Sequence, residues 1–173
     1  EKIDSFSFIA IGDTQGITWG GTTVDQKGFM YAKAAYEEAF EALDNPAFIL
    51  HTGDVVESGG NKNMWNMYFK ALGDYGTRTP MFVTMGNHDT WTDTALYFDH
   101  HFNHPNNGGT AALDSSITAN ITDSNLLRVS KNADETIYSY NYGDAHFIVL
   151  NTGSYCSQDR YLIEAQRDWL IKD

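Results

Sequence analysis

The sequence has one cysteine, three prolines and few basic residues among its 173 positions. The lone cysteine, Cys156, excludes a framework of internal disulfides and a cluster of thiolate metal ligands. No apolar run approaches the ~18 residues that a membrane-spanning helix needs. The sequence does not begin with the basic and then apolar segment of a signal peptide. A mature secreted chain, from which the signal peptide has been removed, would look the same. What remains is a globular chain without covalent cross-links.

Acidic residues outnumber basic ones by 23 to 11, which gives a formal net charge of −12 and a pI of about 4.7. Such a chain repels nucleic acid and anionic lipid at long range, so we expect no nucleic-acid scaffold as a partner. A small phosphate ester is compatible with this charge, because bound metal ions would reverse it locally. Apolar residues make up 42% of the chain, enough to build one core in a domain of this length.

Short apolar segments that end at glycine alternate with helical patterns in the first half of the chain. The segments predict buried strands over residues 5–12, 47–52 and 81–85. The first helical pattern is stopped by Asn45-Pro46. The second helix is predicted to carry one apolar stripe, which consists of Met64, Trp65, Tyr68, Phe69 and Leu72. This order predicts an α/β fold in which helices cover a parallel sheet.

The second half of the chain is less regular. A short helix is predicted within 91–102, and a loop-rich excursion with little regular structure within 103–134. Two strands, 136–142 and 145–150, follow as a hairpin with a two-residue Gly-Asp turn. A final helix is predicted over 160–173, and its pattern shows no stop signal.

The three strand ends of the first half carry similar polar residues. They read Gly12-Asp13-Thr14-Gln15, then Gly53-Asp54, then Gly86-Asn87-His88-Asp89. Because ligands bind at the carboxyl ends of parallel strands, these side chains can converge on one edge of the sheet. Oxygen donors with one imidazole suit Mn, Fe or Zn, and two such ions roughly 3.5–4 Å apart can clamp a phosphoryl transfer. A single Asp after a strand is most often a turn or cap residue, but three such ends in order favour a site.

These residues resemble the calcineurin-like metallophosphoesterases. That family's pattern opens with Asp-x-His, continues with Gly-Asp and Gly-Asn-His-Asp or Gly-Asn-His-Glu, and closes with a lone His and Gly-His-x-His. The resemblance runs over nearly the whole chain and is weakest in 103–134. It implies packed β-sheets flanked by helices, of which residues 1–173 would form the N-terminal part of one catalytic domain. The closing histidines are expected in a continuation after Asp173.

The resemblance also implies a set of metal ligands. Asp13 and Gln15 would bind the first divalent ion, Asp54 would bridge both ions, and Asn87 would bind the second. The common pattern has His where this chain has Gln15, and an amide oxygen is a weaker ligand than imidazole. The activity implied is hydrolysis of phosphate monoesters or diesters by a metal-bridging hydroxide.

Two further residues receive roles from the resemblance. His88 would hydrogen-bond the transferring phosphate and assist protonation of the leaving group, while Asp89 would hold His88 in place. Purple acid phosphatases have a tyrosine three residues after the bridging Asp, where this chain has Glu57. That difference speaks against the subclass coloured by Fe(III)-tyrosinate.

Two other functions stay open at this stage. A nucleotide pyrophosphatase or phosphodiesterase could use the same site, with Trp19, Trp91 or Tyr97 stacking a base, although packing explains these aromatics equally well. Alternatively, the chain could be a non-catalytic metal-binding module, because the closing histidines are absent from it. The low lysine content, the single cysteine and the Asn-Ile-Thr sequon at residues 120–122 are compatible with an exported protein, so a secreted or cell-surface location is expected.

The remaining histidines have structural interpretations. His51 is expected to be a hydrogen-bonded support on a buried strand, and His146 a structural residue at the start of another. His100, His101 and His104 are expected to form a loop cluster.

Overall fold

The computed structural model describes residue 3 and residues 5–16, 26–90, 96–108, 135–151 and 164–173. Its first half contains a three-stranded sheet in the order β1-β2-β3, with both strand pairs parallel. The strands are β1 (Ile9–Ile11), β2 (Ile49–His51) and β3 (Met81–Val83). The predicted parallel α/β arrangement is confirmed.

The strands are shorter than the sequence predicts. Individual backbone hydrogen bonds nevertheless continue the pairing of β1 and β2 beyond their ends. The Ala47 amide donates to the Ser7 carbonyl at 2.8 Å, and the Thr52 amide donates to the Ile11 carbonyl at 2.8 Å. The apolar pattern therefore located the pairing segments correctly, while the sheet proper covers only their centres.

Helices α1 (Gln26–Ala42) and α2 (Lys62–Leu72) pack against the sheet and each other. Helix α2 begins at Asn61, whose side chain accepts a hydrogen bond from the Asn63 amide at 3.0 Å. The predicted stripe of α2 is buried except for Phe69, which is half-buried. The buried hydroxyls of Tyr36 and Tyr68 lie 2.9 Å apart and join the two helices.

Of two further short helices, the sequence predicted one and missed the other. Helix α3 (Tyr75–Arg78) was not predicted, and it begins two residues after Gly73, which ends α2 at φ 57°. Helix α4 (Leu96–His101) lies within the predicted 91–102. Of the loop-rich excursion, residues 103–108 are described and contain no helix or strand, and 109–134 lie outside the described residues.

Strands β4 (Tyr138–Tyr142) and β5 (Ala145–Val149) form the predicted antiparallel hairpin, with Gly143 in the left-handed region at φ 58°. The hairpin docks beside β3 through side chains. The Val83 amide donates to His104 Nε2 at 3.1 Å, and the Tyr138 hydroxyl donates to the Val83 carbonyl at 3.1 Å. The outer edge of β3 is therefore closed by two side chains that stack on each other at 4.7 Å.

The prediction that His100, His101 and His104 form a cluster on a loop is wrong. The first two residues lie on α4, where His101 packs among the rings of Trp65 and Phe69. His104 is buried between the rings of Phe102 and Tyr138. Sequence proximity did not reveal that the three residues differ in burial: His100 is exposed, His101 half-buried and His104 buried. The described residues contain no group of three or more His, Cys, Asp or Glu side chains placed to hold a metal.

We predict a pH-dependent loss of stability from His104. Burial lowers the pKa of His104 to about 4, whereas an unfolded histidine titrates near 6.5. The unfolded chain therefore binds the extra proton, so this contribution is complete above about pH 6.5 and is lost as the pH falls through about 4. Its size is up to about 3 kcal/mol.

The variant His104→Gln isolates this effect, because the Gln oxygen can accept the Val83 amide without titrating. Urea unfolding at several pH values should show the free energy of unfolding of the wild type falling relative to the variant from pH 7 to pH 4. Carboxyl groups that titrate over the same pH range change the free energy of unfolding of both proteins equally, so they cancel in the difference between wild type and variant. Parallel pH curves for the two proteins would contradict this role.

Helix α5 (Glu164–Lys172) lies within the predicted final helix, of which 160–163 are outside the described residues. Near its start, the Gln166 side chain accepts a hydrogen bond from the Asn151 backbone amide at 3.1 Å and donates one to the Asn151 carbonyl at 2.7 Å. After its end, Asp173 contacts His146 Nε2 and accepts from the Ser139 hydroxyl, at 2.7 and 2.9 Å. His146 is thus a structural residue, as predicted. None of the helices in the described ranges combines the length and the hydropathy that crossing a membrane requires.

Candidate metal centre

Three loops meet at the carboxyl edge of the parallel sheet. The Asp13 amide donates to the Gly53 carbonyl at 3.0 Å, and the Gln15 amide donates to the Asp54 carbonyl at 3.2 Å. From the third loop, the His88 amide donates to Asp54 Oδ1 at 2.9 Å. The structure therefore brings the three sequence-predicted strand ends together, with Asp54 in the middle.

Both aspartates of this edge have a left-handed backbone. Asp13 has φ 51° and Asp54 has φ 52°. Non-glycine residues rarely adopt this region, which costs roughly 1–2 kcal/mol, although Asp tolerates it better than most residues. Strain of this kind persists where the surroundings impose it, and it concentrates at functional sites. Here the backbone hydrogen bonds between the first two loops hold Asp13 and Asp54 in this conformation.

Gly86 is needed for the close approach of the third loop to Asp54. A Cβ atom at Gly86 would lie 2.2 Å from both the amide nitrogen and Oδ1 of Asp54. No side chain fits there unless Asp54 moves, since real contacts of this type are longer than 3 Å. The glycine that was predicted from the Gly-Asn-His-Asp motif is therefore a steric requirement of the site.

We expect Gly86→Ala to lower the affinity of the natural protein for Mn²⁺ or Zn²⁺ by at least about tenfold. The added methyl group would push Asp54 away from the His88 amide, and the loss of such supporting contacts typically costs 10–100-fold. Isothermal titration calorimetry measures the affinity. The control is Gly143→Ala, which places alanine at φ 58° in the distant hairpin turn. Equal losses from both variants would show that general backbone strain is responsible.

His51 supports the first two loops from below, as predicted. It is fully buried, and its Nδ1 accepts the Gly53 amide at 3.1 Å. Its Nε2 therefore carries the proton and donates to Thr14 Oγ1 at 2.9 Å, and the Thr14 hydroxyl donates to the Val55 carbonyl at 3.0 Å. Burial lowers the pKa of His51 to about 4, so the ring is neutral and every polar atom in this chain of bonds has a partner.

Asp89 is fully buried beneath the site, where its carboxylate accepts backbone amides from the second and third loops. Its Oδ1 accepts the amides of Val55 and Val56 at 2.9 and 3.2 Å, and its Oδ2 accepts the Gly86 amide at 2.9 Å. The short side chain lies below the turn, where backbone amides are the available donors. Burial raises the pKa of Asp89 to about 7, and the three amide bonds act in the opposite direction. Asp89 thus ties the second loop to the third.

The His88 ring is held by Glu57, a residue that sequence reasoning noted only as the replacement of a tyrosine. His88 Nδ1 lies 2.9 Å from the Glu57 carbonyl oxygen, so the neutral ring carries its proton on Nδ1. The Glu57 carboxylate lies 3.7 Å from the same nitrogen. Its position three residues after Asp54, in the loop that leads away from the site, was the signal that could have identified it.

The residues present fit a divalent ion that accepts oxygen ligands. The side-chain oxygen of Gln15 is buried and has no hydrogen-bond partner. Asp54 has its Oδ1 fixed by the His88 amide, and the Asp13 side chain is exposed. Asn87 is half-buried in the turn between two residues that contact Asp54. The candidate donors are two carboxylates and two carboxamides, a set of hard oxygens that would suit Mn or Zn more than Cu(I).

Of the three aromatic residues considered for base stacking, the structure describes Tyr97. Tyr97 packs against the hydrophobic core, with its ring 6.4 Å from that of His101. Trp19 and Trp91 lie outside the described residues, as does Cys156.

Comparison with known proteins agrees with this geometry. A family model described as calcineurin-like phosphoesterase matches residues 6–171. A relative from Arabidopsis thaliana, described as "Probable inactive purple acid phosphatase 9", is 26% identical over 125 residues. That match covers 65% of this chain, and the chain spans only 19% of the length of that relative. With the family match extending over nearly all of its length, this chain belongs to the calcineurin-like phosphoesterase family.

Proposed function

We propose that this chain provides part of the active site of a divalent-metal-dependent phosphoesterase that hydrolyses small phosphate monoesters or diesters. Membership of the family supports metal-dependent phosphoester hydrolysis. The observation that carries the proposal is the convergence of three strand-end loops on Asp54, whose carbonyl accepts the Gln15 amide and whose carboxylate accepts the His88 amide.

Two divalent ions, Mn, Fe or Zn, would be held by Asp13, Gln15, Asp54 and Asn87. Bound ions would supply charge neutralisation and an activated water. The left-handed backbone at Asp13 and Asp54 supports this assignment, because backbone strain of this kind concentrates at functional sites. The unpartnered oxygen of Gln15 supports it too, since a buried acceptor without a partner costs on the order of 1–3 kcal/mol unless a ligand satisfies it.

His88 would act on the phosphate ester as a proton donor. With its Nδ1 proton donated to the Glu57 carbonyl, the ring takes up its second proton at Nε2. Asp89 would keep the turn that carries His88 in register with the loop that carries Asp54.

The charge of the chain favours a small substrate. A net charge of −12 repels an extended polyanion, whereas one phosphate group can be neutralised by ions at the site. For the same reason, we expect that the protein does not bind a nucleic-acid scaffold. A secreted or cell-surface location remains part of the proposal, because the sequon at residues 120–122 and the low lysine content are compatible with it.

A second candidate is a metal-binding module without catalysis. It is favoured by the word "inactive" in the description of the relative. It is also favoured by the small number of charged donors, since Asp13 and Asp54 are the only carboxylates in the proposed ligand set. A module of this kind would bind Mn²⁺ or Zn²⁺ through the same residues and turn over no ester.

The test is to strip the natural protein of metal with a chelator, reload it with Mn²⁺ or Zn²⁺, and assay a phosphomonoester and a phosphodiester. Recovery of hydrolysis on reloading supports the enzyme. Tight metal binding with no hydrolysis of either ester supports the second candidate. Hydrolysis that survives the chelator unchanged would contradict both.

A further inference from the structure

The loop after Asp54 wraps around the His88-Asp89 turn before it enters α2. We call residues 55–60 the wrapping loop. At its start, the amides of Val55 and Val56 donate to the Asp89 carboxylate. In its middle, the Glu57 carbonyl accepts the proton of His88 Nδ1. The position of that carbonyl determines which nitrogen of the neutral His88 ring carries the proton.

The far end of the wrapping loop is fixed at Gly59. The Gly59 amide donates to the His88 carbonyl at 2.9 Å, and the Gly59 carbonyl accepts the indole Nε1–H of Trp65 at 2.8 Å. A Cβ atom at Gly59 would lie 1.6 Å from the Asp89 carbonyl oxygen, so the two backbones are in direct contact. Glu57 is therefore held from both sides, by Asp89 on one side and by Gly59 on the other.

Trp65 is a rigid donor. Its side chain is fully buried on α2, and its ring packs against those of Phe98 and Phe102 at 6.4 and 6.0 Å. Its one polar atom is the indole nitrogen, and that atom reaches out of the core to the wrapping loop. Without this donor, the buried Gly59 carbonyl would lose its partner, and the far end of the wrapping loop would keep only the bond from the Gly59 amide to the His88 carbonyl.

We propose that Trp65 is a positioning residue for His88. Its indole N–H holds Gly59, and through Gly59 it keeps the Glu57 carbonyl where that carbonyl selects the Nδ1–H form of the His88 ring. The expected fall in kcat rests on the proposed function, while the expected change in the His88 tautomer does not. A residue that only filled the core would have no effect on the His88 tautomer.

Trp65→Phe keeps an aromatic ring in the core and removes the N–H. The first readout is the pair of ¹⁵N chemical shifts of the His88 ring in the zinc-loaded natural protein, which distinguish the two neutral tautomers from each other and from the doubly protonated ring. We expect the Nδ1–H form in the wild type and a shift towards the Nε2–H form in the variant. The second readout is kcat, which should fall by about tenfold to 100-fold with little change in KM, because displacing a catalytic group by about 1 Å has effects of this size.

The control is Tyr36→Phe, which also removes one buried hydrogen bond, the one that joins α1 to the Tyr68 hydroxyl on α2. The proposal is overturned if the His88 tautomer is the same in wild type and folded Trp65→Phe, or if Tyr36→Phe shifts it equally. A tautomer shift in a protein that hydrolyses no ester would support the positioning role and contradict the proposed function. If Trp65→Phe does not fold, site-specific replacement by β-(3-benzothienyl)alanine, which has the shape of tryptophan without the N–H, gives the same readouts.

Discussion

Asp54→Asn should lower the affinity of the natural protein for divalent metal by more than about 100-fold and abolish measurable ester hydrolysis. Replacing even an outer partner of a metal site costs 10–100-fold, and Asp54 is proposed to contact both ions directly. Asparagine has nearly the same shape and can still accept the His88 amide at Oδ1. The loss would therefore come from the missing charge and not from a collapsed loop.

Metal content after dialysis, measured by plasma mass spectrometry, decides this prediction. Gln15→Ala should cost less metal than Asp54→Asn, because Gln15 is a neutral ligand proposed to contact one ion only. Asp74→Asn is the matched control, since the side chain of Asp74 is 89% exposed and lies between α2 and α3, away from the site. Loss of both ions from Gln15→Ala with both retained in Asp54→Asn would show that the ligand assignment is wrong.

His88→Ala should keep the metals and lower kcat by on the order of 10²–10⁴, the usual contribution of general acid–base catalysis. The reason is that His88 is proposed to donate a proton to the leaving oxygen without binding an ion. The loss should therefore be larger for an alkyl phosphate, whose leaving group needs the proton, than for p-nitrophenyl phosphate, whose leaving group does not.

His88→Asn separates the two nitrogens of the ring in this experiment. The Asn amide can replace the Nδ1–H bond to the Glu57 carbonyl, but it offers no proton at the position of Nε2. We expect it to be as inactive as His88→Ala towards the alkyl phosphate, with better retention of the fold. Metal loss in either variant as severe as that of Asp54→Asn would identify His88 as a ligand instead.

The parts of the fold that depend on local pattern were predictable from the sequence. Apolar runs ended by glycine located the three parallel strands, and the Gly-Asp turn located the β4–β5 hairpin. The convergence of Asp13, Asp54 and Asn87 followed from topology alone, since parallel strands place their carboxyl ends on the same edge. These predictions needed no knowledge of how distant side chains pack.

The supporting contacts were not predictable, because they join residues that are far apart in the sequence. Asp89 bonds the amides of Val55 and Val56, 34 and 33 positions away, and His104 bonds the Val83 amide, 21 positions away. The left-handed backbone of Asp13 also depends on a tertiary contact, its bond to the Gly53 carbonyl. Sequence patterns identify which residues can do chemistry, and tertiary packing decides which residues hold them.

The central claim is that divalent ions bind where the three loops meet. Anomalous diffraction from crystals of the natural protein, grown with Mn²⁺ and collected near the manganese absorption edge, tests this claim most directly. We expect anomalous peaks within about 2–2.5 Å of the Asp54 carboxylate, with Asp13 and the Gln15 side-chain oxygen among the neighbouring ligands. Manganese bound elsewhere in the protein, with none at Asp54, would contradict the proposed metal centre and the function built on it.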